Sequence, residues 1–310
     1  MKKILMPILL LFVLIFSACG STSGESASGE TESDKENDKS ETITYESENG
    51  PVEVPANPER VVVLSSYAGN VMALDVNLVG VDAWSKMNPQ FEEELQGVEE
   101  VTDDNLEKII ELDPDLIIGL SNIKNVDKLQ EIAPTVTYTY GSLDYLEQHI
   151  EIGKLLNKEE EATQWVEDFK ARAQQAGEDI RAEIGEDATV SVIENFEKQL
   201  YVFGDNWGRG TEILYQEMNL KMPEKVKEMA LEDGYYAISP EVLPEYAGDY
   251  VVFSKNADSE TSFQDTETYK NIPAVKNDQV IEVNAKEFYF NDPVTLEYQL
   301  ETFKDAFLNE

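Results

Sequence analysis

The segment Leu200–Gly210, with the sequence LYVFGDNWGRG, contains the residue types best suited to hold a small ligand. Its apolar start predicts a strand, and its three glycines permit tight turns and the close approach of a ligand. Trp207 and Tyr201 offer flat apolar faces with polar edges, and Arg209 offers a planar fork of donors. Because α/β proteins bind ligands in loops that follow strands, we expect a binding loop here, with a helix over Thr211–Met218 after it.

Three further aromatic residues lie at the ends of predicted strands or in loops. Tyr67 follows one β-branched run, Tyr140 follows another, and Tyr289 precedes an Asn-Asp-Pro turn. Each of these rings taken alone is more often a core residue than a ligand contact. Several such rings at strand ends in both halves of the chain nevertheless favour a shared cleft.

Catalytic and metal-binding patterns are absent from the sequence. There is no Gly-x-Ser-x-Gly elbow, no His-Glu-x-x-His pair and no phosphate-binding glycine loop. The chain has one histidine, His149, and one cysteine, whereas transition-metal sites normally need several such ligands. We therefore predict a protein that is not an enzyme, has no cofactor and binds no bare metal ion. His149 lies in a predicted helix, where a solvated or capping role is expected; a surface esterase using it as a base is the weaker alternative.

The N-terminus has the pattern of a bacterial lipoprotein signal. Lys2 and Lys3 precede an apolar run over Ile4–Phe16, which is too short to span a bilayer, and Ser-Ala-Cys-Gly follows. We expect a signal peptide over 1–18 and lipidation of Cys19, with palmitate among the attached acyl chains. The protein would then be anchored at the outer face of a cell membrane. An ordinary signal with an incidental cysteine is the alternative, and Phe16 departs from the leucine usual at that position.

The chain is strongly acidic, with 63 Asp and Glu against 24 Lys and Arg in 310 residues and a net charge of −39. Such a surface repels phosphates and anionic headgroups, so binding to nucleic acid or to a membrane surface through charge is not expected. After Cys19, residues up to 41 contain no aliphatic side chain larger than alanine and no aromatic one. Residues 19–41 therefore predict a flexible tether, which spans roughly 25 Å.

The rest of the chain predicts two α/β lobes joined by one long rigid helix. Strand-like runs alternate with helical segments on both sides of residues 158–184, where apolar residues recur every three or four positions. This gives an N-terminal lobe over 42–157, a connecting helix over 158–184 and a C-terminal lobe over 185–310. Gly177 is the weak point of that helix, costing about 1 kcal/mol relative to alanine. One more helix packed on a single sheet is the alternative.

Several stretches resemble the iron–siderophore solute-binding lipoproteins of Gram-positive bacteria, the extracellular receptors of ABC importers. The likeness is greatest to the ferric hydroxamate-binding branch. It rests on stretches that span nearly the whole chain after the tether: PERVVV at 58–63, NLEKI at 105–109, LDPDLI at 112–117, APTV at 133–136, GDNWGRG at 204–210, YAGDY at 246–250 and YFNDP at 289–293. The resemblance implies the same fold, two α/β lobes on a helical backbone with a shallow cleft between them.

The resemblance also implies roles for particular residues. Trp207 and Arg209 would contact a siderophore, with Tyr201, Tyr140 and Tyr289 beside them. Tyr67 would also contact it, although its match to the family's binding positions is weaker. One exposed glutamate in each lobe, Glu107 and Glu241, would dock on the permease. Phe203 and Tyr289 stand where relatives carry other aromatics, and the acidity exceeds what the family suggests.

The expected function is therefore capture of a ferric hydroxamate siderophore of the ferrioxamine or ferrichrome type by a monomeric receptor. It would deliver this cargo to an ABC permease and its ATPase. The iron would be held by the siderophore, whose six oxygens already saturate it, so the receptor needs aromatic surface and a donor such as Arg209. Ferric citrate, a catecholate siderophore, haem or cobalamin on the same scaffold are alternatives, as is a structural or adhesive lipoprotein. The acidity disfavours anionic cargo.

Overall fold

Two five-stranded sheets, a separate β-hairpin and one long helix form the folded part of the chain. The computed structural model describes residues 41–196, 198–257, 259 and 261–308. The predicted signal at 1–18, Cys19 and all but the end of the predicted tether lie outside these ranges. No helix within them is long and apolar enough to cross a lipid bilayer.

The hairpin comes first and was not predicted. Strand β1 (Thr42–Ser47) pairs antiparallel with β2 (Gly50–Pro55), so that Thr42 lies opposite Pro55. Tyr45 on β1 is buried in the core of the first lobe, and its hydroxyl donates to Glu151 Oε1 at 2.7 Å. The hairpin thus covers one edge of that core.

The first lobe has a parallel sheet whose apolar runs are buried on both faces. Its strands are β3 (Val61–Val63), β4 (Leu78–Val81), β5 (Glu99–Glu100), β6 (Leu116–Leu120) and β7 (Thr135–Tyr138). Their order is β5-β4-β3-β6-β7, so the chain changes direction along the sheet at β3. Helices cover both faces, because parallel strands are joined by crossovers.

The helices of the first lobe are short, apart from the last. They are α1 (Ala68–Met72), α2 (Ala83–Met87), α3 (Leu106–Glu111), α4 (Val126–Leu129) and α5 (Tyr145–Leu155), with a 3₁₀ turn at Pro89–Phe91. Asp82 caps α2 and Asp144 caps α5, each accepting two backbone N–H bonds at the helix start. Both caps lie directly on the cleft described below.

The long helix α6 (Glu159–Ile184) has 26 residues, which corresponds to a length of about 40 Å. Six of the seven apolar positions that predict it are buried, from Ala162 to Ile180, and Ile184 is partly exposed. Gly177 is also buried, and a methyl group there would lie 2.3 Å from the backbone oxygen of Met218. Gly177 is therefore required for the close packing of α6 against the Met218 backbone. The prediction that it is only a weak point of the helix was incomplete.

The second lobe has a mixed sheet. Its strands are β8 (Val190–Phe196), β9 (Gln199–Phe203), β10 (Tyr235–Ile238), β11 (Tyr250–Lys255) and β12 (Val280–Asn284). Their order is β10-β9-β8-β11-β12, with β9 antiparallel to both neighbours. The expectation of a largely parallel sheet holds for β8, β11 and β12 only, because the link from β8 to β9 is too short for a crossover.

Mostly short helices surround this sheet. They are α7 (Glu224–Ala230), α8 (Leu243–Tyr246), α9 (Glu267–Lys270), α10 (Pro273–Lys276), α11 (Ala285–Phe288) and α12 (Pro293–Leu308), with a 3₁₀ turn at Ser262–Asp265. The helix predicted over Thr211–Met218 is a π-helical turn at Glu212–Glu217, in which Met218 N–H donates to Ile213 O at 2.8 Å. Such turns are frequent at functional sites.

Helix α12 and the residues just before it join the second lobe back to the first. Phe290 stacks on Phe91 of the first lobe, with ring centroids 5.7 Å apart. Buried Asp292 accepts from Thr295 at the start of α12, and a methyl group on Gly69 of α1 would lie 1.9 Å from Asp292 Oδ1. The start of α12 is therefore a contact between the lobes in addition to the one along α6.

His149 is fully buried where α5 meets α1 and α6, so the solvated or capping role predicted for it was wrong. Its Nδ1 lies 3.1 Å from Asn70 Oδ1 and its ring packs edge-on against Trp165. Its Nε2 has no hydrogen-bond partner in the described part of the chain. Burial therefore lowers the pKa of His149 from 6.5 to about 4.

His149→Gln is expected to make the protein less sensitive to acid. In the folded state His149 stays neutral down to about pH 4, whereas the unfolded chain takes up a proton near pH 6.5, so stability falls as pH drops through this window. At pH 5 this costs the wild type about 2 kcal/mol, which the variant does not pay. Urea unfolding at pH 7 and pH 5 measures the difference. If the free energy of unfolding changed equally in the wild type and in the variant between pH 7 and pH 5, the lowered pKa of His149 would be contradicted.

Candidate functional site

A cavity of about 990 Å³ opens between the two lobes. On the first lobe it is lined by residues that follow the carboxyl ends of four parallel strands. Ser65–Tyr67 follow β3, Asp82 and Trp84 follow β4, Leu120 ends β6, and Tyr140–Tyr145 follow β7. This is the position at which open α/β sheets bind ligands, beside the strand where the chain changes direction.

The second lobe supplies the opposite wall. Its lining residues are Asp205, Asn206, Trp207 and Arg209 after β9, Glu212 and Gln216 on the π-helical turn, Glu232 and Asp233 before β10, and Tyr289–Asn291 after α11. The predicted binding loop is thus part of the cavity, with both Trp207 and Arg209 among its lining residues.

Backbone conformation directs Arg209 into this wall. Gly208, Arg209 and Gly210 all have positive φ, at 67°, 60° and 79°, and Arg209 N–H donates to Phe288 O at 2.6 Å. A methyl group on Gly208 would lie 2.5 Å from Tyr289 O. Glycines on either side therefore let the loop lie against the segment that carries Tyr289.

The Arg209 guanidinium lies between two rings and beside one carboxylate. Its Cζ is 5.0 Å from the centroid of Phe203 and 4.7 Å from that of Tyr289. Nε donates to Glu194 Oε2 at 2.6 Å and Nη1 donates to Trp207 O at 3.2 Å. For Nη2 no hydrogen-bond partner is found in the described ranges, so this end of the fork can donate to a ligand.

Glu212 fixes the loop from beneath. This buried carboxylate accepts from Gly208 N at 2.9 Å, from Thr211 Oγ1 at 3.0 Å and from Asn291 Nδ2 at 2.9 Å. Burial raises the pKa of Glu212, and these donors act in the opposite direction. The loop is therefore preorganised by hydrogen bonds that do not involve a ligand.

Two aromatic pairs meet across the cavity, each with one ring from either lobe. Tyr140 meets Trp207 with centroids 6.0 Å apart, and Trp84 meets Tyr289 at 5.5 Å, both edge to face. Tyr140 is 51% exposed, Trp84 48% and Trp207 37%, so their faces are available to a ligand. Sequence reasoning missed Trp84 because it follows β4, a four-residue strand that was not predicted.

The remaining predicted aromatics lie less directly in the site. Tyr67 lines the cavity but is buried, and its ring packs edge-on against Tyr138 at 5.5 Å. Tyr201 is not among the lining residues. Its ring packs against that of Tyr235 with centroids 5.8 Å apart, and the Tyr235 ring packs against Trp207 with centroids 5.1 Å apart. Tyr201 therefore lies two ring contacts from the cavity face of Trp207.

The cavity is strongly acidic. Among its described lining residues the one cation is Arg209, against six carboxylates: Asp82, Asp144, Asp205, Glu212, Glu232 and Asp233. Within the described ranges, no group of three or more His, Cys, Asp or Glu side chains is arranged to hold a metal ion. The site can thus offer ring faces and a guanidinium to a ligand, in negative surroundings.

Glu107 and Glu241 are both solvent-exposed. Glu107 lies in the first turn of α3 in the first lobe, and Glu241 lies between β10 and α8 in the second. A hydrogen bond from Ser239 lowers the pKa of Glu241. Both carboxylates are therefore accessible to another molecule.

Several known proteins are similar to this chain in sequence and in fold. The model of the family described as "Periplasmic binding protein" matches residues 61–287. The iron(3+)-hydroxamate-binding protein FhuD of Bacillus subtilis (strain 168) is 37% identical over 275 residues, 86% of this chain and 87% of the relative. The iron(3+)-hydroxamate-binding protein YxeB of the same organism is 35% identical over 279 residues, 87% of this chain and 86% of the relative.

A solved structure with bound ligand is also similar. FhuD2 from Staphylococcus aureus with bound ferrioxamine B has a TM-score of 0.77 and 34% identity, covering 81% of this chain and 99% of that one. The predicted fold of two α/β lobes on a long helix and the predicted resemblance are both confirmed. The relatives are binding proteins and not enzymes, as the sequence predicted. By its family match and its identity to these relatives, the chain belongs to the periplasmic binding protein family.

Proposed function

We propose that this chain is the substrate-binding component of an ABC importer and captures ferric hydroxamate siderophores of the ferrioxamine or ferrichrome type. The observation that carries the proposal is Arg209, held between two rings in an inter-lobe cavity, with no hydrogen-bond partner for its Nη2 among the described residues. Two relatives, 37% and 35% identical over the aligned residues, are named as iron(3+)-hydroxamate-binding proteins. The cargo is the chelate, in which the siderophore holds the iron.

The chemistry of the cavity suits such a cargo. A ferric tris-hydroxamate needs no protein ligands for its iron, but it presents partly negative oxygens and a carbon skeleton. Arg209 can donate to the oxygens, and the rings of Trp207, Tyr140, Trp84 and Tyr289 can cover the skeleton. Contact with Tyr67 is limited to its exposed edge, and Tyr201 supports the site through Tyr235.

A titration with several ferric chelates tests this proposal. The wild type is expected to bind ferrioxamine B and ferrichrome but not ferric citrate, haem or cobalamin. Quenching of tryptophan fluorescence measures the binding. Two of the three tryptophans, Trp84 and Trp207, line the cavity and would report binding. A protein that ignored all hydroxamates and bound one of the other ligands would contradict the proposal.

The proposal extends to the place of action. Lipidation of Cys19, after removal of residues 1–18, would anchor a monomeric receptor at the outer face of a Gram-positive cell membrane, with residues up to 41 as tether. The partners would be a permease and its ATPase. Glu107 and Glu241, one on each lobe, would dock on cationic residues of the permease.

The double variant Glu107→Ala with Glu241→Ala is expected to bind ferrioxamine B normally yet lose iron uptake. Both side chains lie outside the cavity lining, so removing them leaves the ligand contacts intact. Uptake of radioactive iron by cells whose own copy is replaced measures delivery. The matched control is Glu111→Ala with Glu245→Ala, two exposed glutamates four residues farther along in each lobe, which should transport normally. Normal uptake by the first variant would refute the docking role.

A further inference from the structure

Glu194 is completely buried, in the middle strand of the second sheet. It lies on β8, flanked by β9 and β11, and its side chain has no exposed surface. A carboxylate in this position is costly unless it is paired and hydrogen-bonded. Glu194 was not among the residues that the sequence indicated, since it reads as one polar position within a strand.

The partners of Glu194 are all parts of the ligand cavity or its support. Oε2 accepts from Arg209 Nε at 2.6 Å, and Oε1 accepts from Asn256 Nδ2 at 3.3 Å. Asn256 in turn accepts from the Tyr289 hydroxyl at 2.9 Å. One buried carboxylate thus holds the arginine directly and, through Asn256, the tyrosine ring that covers it.

This pairing changes what Arg209 can offer a ligand. The carboxylate accepts from Nε, whose N–H lies on the same edge of the guanidinium as Nη2, and balances the charge of the group. Nη2 keeps its hydrogen-bond donors, but the Arg209–Glu194 pair as a whole carries no net charge. The described lining residues include no second cation, whereas six other carboxylates surround the cavity. A ligand oxygen therefore finds hydrogen-bond donors on Arg209 but no net positive charge that would attract an anion.

We propose that Glu194 is a specificity-determining residue that makes the cavity select ferric chelates by charge. In pairing with Arg209 it leaves a donor that suits the partly negative oxygens of a neutral or cationic ferric hydroxamate. A strongly anionic chelate would meet net negative surroundings and be rejected. This inference rests on the proposed function and adds the reason why one class of ferric chelate is admitted and another excluded.

The variant Glu194→Gln tests this role. The amide has the same shape and keeps an oxygen for Arg209, but it leaves the guanidinium charge unbalanced. The readout is the ratio of the dissociation constants for ferrioxamine B and for ferric enterobactin, a strongly anionic tris-catecholate. We expect this ratio to shift toward the anionic chelate by at least about tenfold. A ratio equal to that of the wild type, whatever the change in each affinity, would reduce Glu194 to a structural residue and overturn the inference.

Two controls separate this pair from general electrostatics. Glu245→Gln removes one exposed carboxylate of the same lobe that lies outside the cavity lining and should leave the ratio nearly unchanged; an equal shift there would refute a special role for Glu194. Glu194→Asp keeps the charge and should retain the selectivity of the wild type. The effect of Glu194→Gln should also persist in high salt, because buried pairs are little screened.

The wild type alone provides a further test if Glu194→Gln does not fold. The inference requires that wild-type protein bind ferrioxamine B and discriminate against ferric enterobactin, and equal affinities would overturn it. A wild type that bound no ferric hydroxamate at all would defeat the proposed function itself. A wild type that binds hydroxamates, together with an unchanged ratio in the variant, would defeat this inference only.

Discussion

Arg209→Ala is expected to weaken binding of ferrioxamine B at least about tenfold, because a hydrogen bond to a charged donor contributes roughly 1.5–3 kcal/mol. Trp207→Ala should have an effect of similar size, since Trp207 lines the cavity, is 37% exposed and meets Tyr140 of the other lobe. Fluorescence titration suits Arg209→Ala, and calorimetry suits the variant that loses a tryptophan. Unchanged affinities in both variants would remove this cavity as the binding site.

The arginine variant needs a control for stability, since it leaves Glu194 buried without its cation. Arg172→Ala provides the match, because Arg172 also contacts a ring and carboxylates but lies on α6 outside the cavity lining. It should bind ferrioxamine B as the wild type does. The double variant Arg209→Ala with Glu194→Gln removes the unpaired carboxylate. A binding loss that persists there belongs to the missing guanidinium and not to a disturbed fold.

Gly177→Ala is expected to destabilise the protein by about 1–3 kcal/mol, although alanine is the better helix former by about 1 kcal/mol. The added methyl would lie 2.3 Å from Met218 O and 2.7 Å from its carbonyl carbon, and backbone atoms cannot rotate away as a side chain can. Arg181 of the same helix also donates to Met218 O, which fixes that segment further. Urea unfolding measures the loss.

Gln174→Ala is the matched control for this prediction. It lies on the exposed side of α6, less than one turn from Gly177, and gains helix propensity without a new contact. Its stability should stay within about 0.5 kcal/mol of the wild type. If Gly177→Ala were as stable as this control or more so, the close approach of α6 to Met218 would not limit packing.

Much of the fold was predictable because its signals are local. The β-branched runs of β3, β6, β7, β8, β11 and β12 and the apolar spacing of α6 each occur within one continuous segment. Strands β1 and β2 do alternate and could have been predicted, but the other missed strands lack such a signal: β4 includes a glycine, β5 has two residues, and most of β10 is exposed. Their pairing with neighbouring strands, and not their composition, makes them strands.

The site was predictable in part for the same reason. Trp207 and Arg209 stand in one glycine-rich loop, so their types and spacing indicated a ligand, and both line the cavity. Glu194 and Trp84 gain their roles only from the fold, which brings β8 against the loop and α2 against Tyr289. The burial of His149 had no local signal either, because it depends on α1 and α6 packing over one face of α5.

The contacts at the start of α12 have a consequence for how the chain acquires its structure. Phe290 and Val294 pack against the core of the first lobe, so that core is completed by residues about 135 positions beyond the lobe's own end. During synthesis from the N-terminus, the first lobe therefore cannot complete its core by itself. The apolar surface around Phe91 stays uncovered until the last segment of the chain has been made. Unfolding should accordingly occur as a single cooperative transition, and the two halves should not survive separation as independent modules.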